Sequence, residues 1–291
     1  MTEPLSEIRR RAQVPVQQYN DIAGVLVGDH VSIHVTRLFI AVGISPTVAT
    51  ISMLVLGLAG ALLIPFGGLW SIAGFTLVFG YYICDCVDGE VARYHKVEKL
   101  IWGFHDFLFH LYVKSAFFLA LGALAVHVTG KPWFFVFGIS GLLGTLLIKF
   151  LDALAVSVAA RQIVLRPPGE RAIQLKQLME GVDKSRFEVS EASPDAGKPG
   201  FGRPLAVFRA IVTNFDLGSL IFLTAAILDL FVPRFELLGI TWNLKVVLVA
   251  FYGVVMPIDF IDRMYTAIRR DEFSEQAREL IVRADGFRVD D

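Results

Sequence analysis

Residues 85 to 93 read Asp-Cys-Val-Asp-Gly-Glu-Val-Ala-Arg, and they lie where a long apolar run meets the basic residues Arg93, Lys96 and Lys99. Charge at such a border is costly to keep and usually serves a function. On a helix turning about 100° per residue, Asp88, Gly89, Ala92 and Arg93 all fall within about 80° of Asp85. Glu90 points elsewhere. In the next apolar run Asp106, His110 and Lys114 are spaced by four and form a second stripe. Two carboxylate-bearing stripes at one depth can meet. Asp85, Asp88 and Asp106 could hold one or two Mg²⁺ or Mn²⁺ ions, hard cations that prefer oxygen ligands. Gly89 and Ala92 leave room for a flat or bulky group near the backbone, and Arg93 can pair with a phosphate oxygen. The chemistry this points to is metal-assisted phosphoryl transfer.

The elements that must position these residues are membrane helices. The chain has 291 residues, 55% of them hydrophobic, with a mean hydropathy of +0.59. That is well above a typical soluble domain. The apolar residues gather in runs of bilayer-spanning length, about 20 residues. The expected fold is all-α and polytopic, with six transmembrane helices near 46–66, 69–90, 104–126, 133–158, 212–232 and 243–261, plus amphipathic helices on the cytoplasmic side. Lys and Arg crowd the N-terminus, the segments after spans two and four, and the C-terminal side. Only Lys131, Arg234 and Lys245 fall on the opposite connections. This asymmetry predicts both termini in the cytoplasm. The polar, charged N-terminus predicts no cleavable signal peptide. A net charge of −1 argues against a nucleic-acid partner. Cys84 and Cys86, two residues apart, suggest no disulfide framework.

Three organisational parts are expected: residues 1–45 as a cytoplasmic and interfacial segment, 46–265 as the membrane domain, and 266–291 as a cytoplasmic tail. Residues 29–44 read as an amphipathic helix lying flat at the interface. The polar stretch 161–204 reads as a cytoplasmic loop, with a short helix over 170–181 and a flexible part over 190–204. One further short helix is expected within 271–291.

The residues of the first stripe carry a resemblance to the CDP-alcohol phosphotransferase family, whose signature is D-x2-D-G-x2-A-R-x8-G-x3-D-x3-D. Asp85, Asp88, Gly89, Ala92 and Arg93 match its first half, and Asp106 is in register for the third aspartate. Ser45-Pro46-Thr47-Val48-Ala49-Thr50 resembles the family's Pro-Asn-x-x-Thr, with Thr47 in place of Asn. The chain departs at two points. Trp102 stands at the signature glycine, with Gly103 one residue late, and His110 stands at the fourth aspartate.

The resemblance implies a CDP-linked alcohol as donor, an acceptor hydroxyl, CMP as product, membrane lipids as surroundings and a homodimer. It implies that Asp85, Asp88 and Asp106 bind metal. Gly89, Ala92 and Arg93 would hold the nucleotide and diphosphate. His110, with Asp106, would act in catalysis in place of the family's base. A histidine has a reference pKa near about 6.5 and can take a hydroxyl proton. The expected location is the cytoplasmic (inner) membrane of a bacterium. The His110 departure supports an alternative, a catalytically impaired member that binds a nucleotide or lipid head group and regulates or scaffolds a partner. An ion-coupled transporter fits less well, because the charges gather at one face and no inverted repeat is visible. Lys149, Asp152, Asp259 and Asp262 read as local or interfacial polar residues. Gly57, Gly60, Gly138, Gly141 and Gly144 read as close helix-packing positions.

Overall fold

The computed structural model describes residues 3–19, 23–97, 100–164, 209, 211–232 and 234–270. Of the loop expected over 161–204, residues 161–164 belong instead to the end of a helix, and the remainder lies outside the described residues, as does the short helix expected within 271–291. Eight α-helices are assigned in the described chain: α1 (Leu5–Ala12), α2 (Asp29–Val42), α3 (Pro46–Leu63), α4 (Gly68–His95), α5 (Leu100–Thr129), α6 (Phe135–Val164), α7 (Phe215–Leu228) and α8 (Leu244–Arg270). A two-stranded antiparallel hairpin, β1 (Phe235–Leu237) and β2 (Ile240–Trp242), precedes α8. The protein is an all-α polytopic membrane protein, as its composition requires.

Six helical stretches are long and apolar enough to cross a bilayer: Gly24–Val42, Pro46–Phe66, Gly68–His95, Gly103–Thr129, Pro132–Leu151 and Leu244–Arg269. Five coincide with the expected spans. The sixth is Gly24–Val42, which includes the segment read as interfacial, whereas the 212–232 run contains only the 14-residue helix α7. At its N-terminal end Asn214 Oδ1 accepts from the backbone N–H groups of Asp216 and Leu217 at 3.0 and 2.9 Å, which starts α7 afresh after residues 211–213, and the helix ends at Leu228. An apolar run does not register such a cap.

The helix ends follow ordinary chemistry. Pro46 opens α3, where its missing N–H costs nothing. Gly43 closes α2 in the left-handed region at φ 76°. At the end of α4 it is Lys96 that adopts this conformation, φ 52°, and Val97 N–H reaches back to Ala92 O at 3.0 Å.

The chain divides into two compact units, residues 1–142 with 194–256, and residues 143–193 with 257–291. The first contains every residue of the candidate site. Its helices approach through glycine. A Cβ on Gly60 would lie 2.6 Å from Gly74 O, and one on Gly57 would lie 2.5 Å from Val113 Cγ1. Likewise a Cβ on Gly138 would lie 2.6 Å from Phe118 O. These contacts bring α3 against α4 and α5, and α5 against α6, which is how helices associate where lipid removes the hydrophobic drive. An aromatic cluster of Phe75, Phe117, Phe215 and Phe222 fills the space between α4, α5 and α7. Asp229 and Lys245 form a buried ion pair at 2.9 Å, and Asp229 also accepts from Leu244 N–H at 2.8 Å, so it caps α8. In the second unit the described helical segments carry an ion pair from Arg263 to Asp259 at 2.8 Å.

Candidate metal and phosphate site

The two stripes meet. Asp85 of α4 and Asp106 and His110 of α5 each bring a ligand atom within 4.8 Å of the others. His110 Nε2 lies 3.1 Å from Asp85 Oδ1 and 3.5 Å from Asp106 Oδ1. Its Nδ1 shares a hydrogen bond with the hydroxyl of Tyr81, which is fully buried one turn before Asp85. The two rings meet edge to face. The imidazole is therefore held at both nitrogens.

Asp88 is directed to α3. The Thr50 hydroxyl lies 3.0 Å from Asp88 Oδ2 and 3.1 Å from Pro46 O, and its single proton serves one of these. The threonine that closes the Pro46–Thr50 stretch thus touches the second aspartate. Lys114 is 8% exposed and places its Nζ 5.0 Å over the Phe215 ring.

Arg93 Nε donates to the carbonyl of Ala12 at 2.5 Å. Its guanidinium fills the space above Gly89, where a Cβ would lie 2.9 Å from Nη1. The missing side chain at Gly89 is what lets the arginine fold back along its own helix.

Glu90 points away from the aspartate face, as helical spacing predicts, but it is 2% exposed rather than solvated. Its carboxylate accepts from Gln13 Nε2 at 2.8 Å, from Thr36 Oγ1 at 2.5 Å and from the Ser32 hydroxyl. Gln13 Nε2 also donates to Asp29 O at 2.8 Å. Arg11 stacks over Tyr94, and the Tyr94 hydroxyl donates to Glu3 at 2.9 Å. Ile8, Ala12 and Ile33 close a small apolar core beside these bonds. The N-terminal segment and α2 are in this way fastened to the turn of α4 that carries Asp88 and Arg93.

This junction borders a cleft of about 200 Å³. Its lining includes Gln13, Val16, Tyr82, Asp85, Arg93 and Asp216, the last at the start of α7. Asp85 belongs to both the cleft and the ligand group.

Asp85 and Asp106 offer carboxylate oxygens to a divalent ion, and His110 Nε2 beside them can serve as a third ligand or as a proton acceptor, but not as both at once. The residues fit a metal.

Of the residues singled out from sequence, the structure brings Asp85, Asp106 and His110 together and sets Asp88, Gly89 and Arg93 on the adjoining turn. Tyr81, Glu90, Gln13, Ser32 and Thr36 were not foreseen. A signal existed for some of them. Tyr81 is four residues before Asp85 on the same helical face, and Ser32 and Thr36 form a four-spaced hydroxyl pair on one face of α2. No protein-family model and no curated protein matches the chain.

Proposed function

We propose that the protein is a metal-dependent transferase that cleaves a CDP-linked alcohol, releases CMP and passes the phospho-alcohol group to an acceptor hydroxyl. The observation that carries this reading is the meeting of Asp85, Asp106 and His110 beside the Asp88–Gly89–Arg93 turn. This reading places the reaction at the cytoplasmic face, with both termini inside, in the inner membrane of a bacterium, and in a homodimer that makes polar lipids.

Asp85, Asp88 and Asp106 would hold Mg²⁺ or Mn²⁺. The ion, when bound, offsets charge on the diphosphate and on the departing CMP. Arg93 presents its remaining N–H groups to a phosphate oxygen while Ala12 O fixes its Nε. Gly89 and Ala92 keep the helix surface low beside the nucleotide. His110 takes the acceptor proton at Nε2. For that, its proton must sit on Nδ1 and be donated to the Tyr81 oxygen, and Nε2 must leave its 3.1 Å contact with Asp85 when the acceptor binds. Asp85 and Asp106 then stabilise the imidazolium that forms.

The position of His110 Nε2 between the two carboxylates also favours a second reading. A protonated His110 would occupy the centre of the site as a fixed cation, and the protein would bind nucleotide without turning it over.

Both are tested by CMP release from a panel of CDP-alcohols and acceptors with Mn²⁺ or Mg²⁺. Metal-dependent CMP from the wild type and none from Asp85→Asn supports the transferase. Activity unchanged in Asp85→Asn refutes it. CDP-alcohol binding with no CMP from any donor supports the second reading. His110→Ala should lose about 10²–10⁴ in rate, and His110→Asp should retain activity.

A further inference from the structure

We propose that the β1–β2 hairpin and the turn before it form an interfacial anchor, seated in the lipid leaflet at the end of the bundle opposite the candidate site. This holds whether or not the protein is a transferase.

The hairpin is two-faced. Phe235 pairs with Trp242, Glu236 with Thr241 and Leu237 with Ile240. Residues directly opposite in an antiparallel pair project to the same side, and successive residues alternate. Phe235, Leu237, Ile240 and Trp242 therefore form an apolar face, and Glu236 and Thr241 a polar one. Among the described residues the bundle covers the β2 half of the apolar face. β2 packs on α5, and the rings of Trp242 and Phe134 meet edge to face with centroids 5.4 Å apart. Phe235 and Leu237 of β1 stay exposed, together with Leu230, Phe231 and Val232 of the preceding turn.

The tip is strained toward an apolar surrounding. Leu238 and Gly239 form the two-residue loop with φ of 57° and 68°. Positive φ at both central positions suits Asn, Asp or Gly and strains a leucine. Leu238 is nonetheless 89% exposed, and Phe231 is 79% exposed. In water that side chain would return nothing for the strain. Transfer into hydrocarbon offsets it.

Depth places these residues at the border of the bilayer. Tyr81 meets Phe215, and Phe75 stacks on Phe222, so α7 runs along α4 almost residue for residue. Continued to its end at Leu228, α7 comes level with Leu69 and Trp70 in the first turn of α4. Trp70 is about 22 Å along the helix axis from Asp85, at about 1.5 Å per residue. Trp133 and Trp242 lie at this same end, which thus gathers three of the four tryptophans of the chain. Tryptophan concentrates where lipid meets water. The exposed turn and hairpin begin at that belt.

Lipid is the occupant that suits the size of the surface. Residues 230–242 fall short of the roughly 20–30 residues per side that a stable protein interface uses. The base of the hairpin is also fixed in advance. Asp229 accepts from Leu244 N–H at 2.8 Å and pairs with Lys245 at 2.9 Å, and Trp242 Nε1 donates to Leu237 O at 3.3 Å. A preformed anchor keeps the ordering cost out of insertion.

The test replaces Leu238, Phe231 or Glu236, one at a time, with the photoreactive residue p-benzoylphenylalanine. Full-length protein, checked as folded by size exclusion, is irradiated in dioleoylphosphatidylcholine proteoliposomes and its intact mass is read. The expected result is a one-phospholipid adduct from positions 238 and 231, at least tenfold above that from position 236 on the polar face. Position 231 decides alone where the probe at 238 disturbs the turn. No lipid adduct from the apolar positions, equal adduct from all three, or a covalent dimer in place of the lipid adduct overturns the proposal.

Discussion

Replacing Glu90 with Ala should release the N-terminal segment from α4 while leaving the membrane core folded. The carboxylate accepts three hydrogen bonds from residues that lie 77, 58 and 54 positions away, and it is 2% exposed. Bonds to a charged group contribute about 1.5–3 kcal/mol each, and their plain sum is an upper bound. The Ser32 and Thr36 hydroxyls can turn to other acceptors or to entering water, so a net loss of about 3 kcal/mol is the reasoned figure. At about 1.4 kcal/mol per tenfold, this makes local opening roughly 100 times more frequent. The assay is amide hydrogen exchange followed by mass spectrometry, comparing peptides over residues 5–42 with peptides from α3 and α5. Faster exchange should be confined to the first set. Glu90→Gln keeps an acceptor for two of the three donors and should open far less. Unchanged protection of residues 5–42 in Glu90→Ala would show that the apolar contacts of Ile8, Ala12 and Ile33 hold the segment alone. Equal loss of protection in α3 and α5 would show that Glu90 supports the whole unit instead. Either result refutes the reasoning.

Other outcomes follow from the same geometry. Tyr81→Phe removes the partner of His110 Nδ1 and should lower kcat about 10–100-fold with little change in KM, measured by CMP release. Gly89→Ala places a Cβ 2.9 Å from Arg93 Nη1. The guanidinium can swing aside, so the melting temperature should hold while donor KM rises several-fold. Lys245→Ala leaves the buried carboxylate of Asp229 without its cation and should cost about 3–5 kcal/mol, read from a lower thermal midpoint in detergent. Gly60→Val, with Gly74 O at 2.6 Å from the new Cβ, should prevent α3 from reaching α4 and abolish recovery of folded protein on size exclusion.

Hydropathy alone determined that this chain is a membrane-embedded helical protein, because long apolar runs have only that solution in lipid. Helical spacing alone placed Asp85, Asp88, Gly89 and Arg93 on one face of α4, and Asp106 and His110 on one face of α5, since a period of about 3.6 residues is a local property of the chain. Tertiary structure decided the rest. Asp88 is bonded to Thr50 across 38 positions, and Glu90 to Ser32 and Thr36 across 58 and 54. No pattern within one helix encodes such pairings. Helical spacing put Glu90 off the aspartate face and no more; its partners are scattered through the N-terminal segment, and only packing brings their donors to one carboxylate. The 212–232 run looked like a span because its side chains are apolar, yet its helix begins only at the cap that the Asn214 side chain supplies and ends at Leu228. The types of group at the site were legible in the sequence. Their partners were not, because hydrogen bonds and close approach between distant segments are set by which helices meet and at what depth.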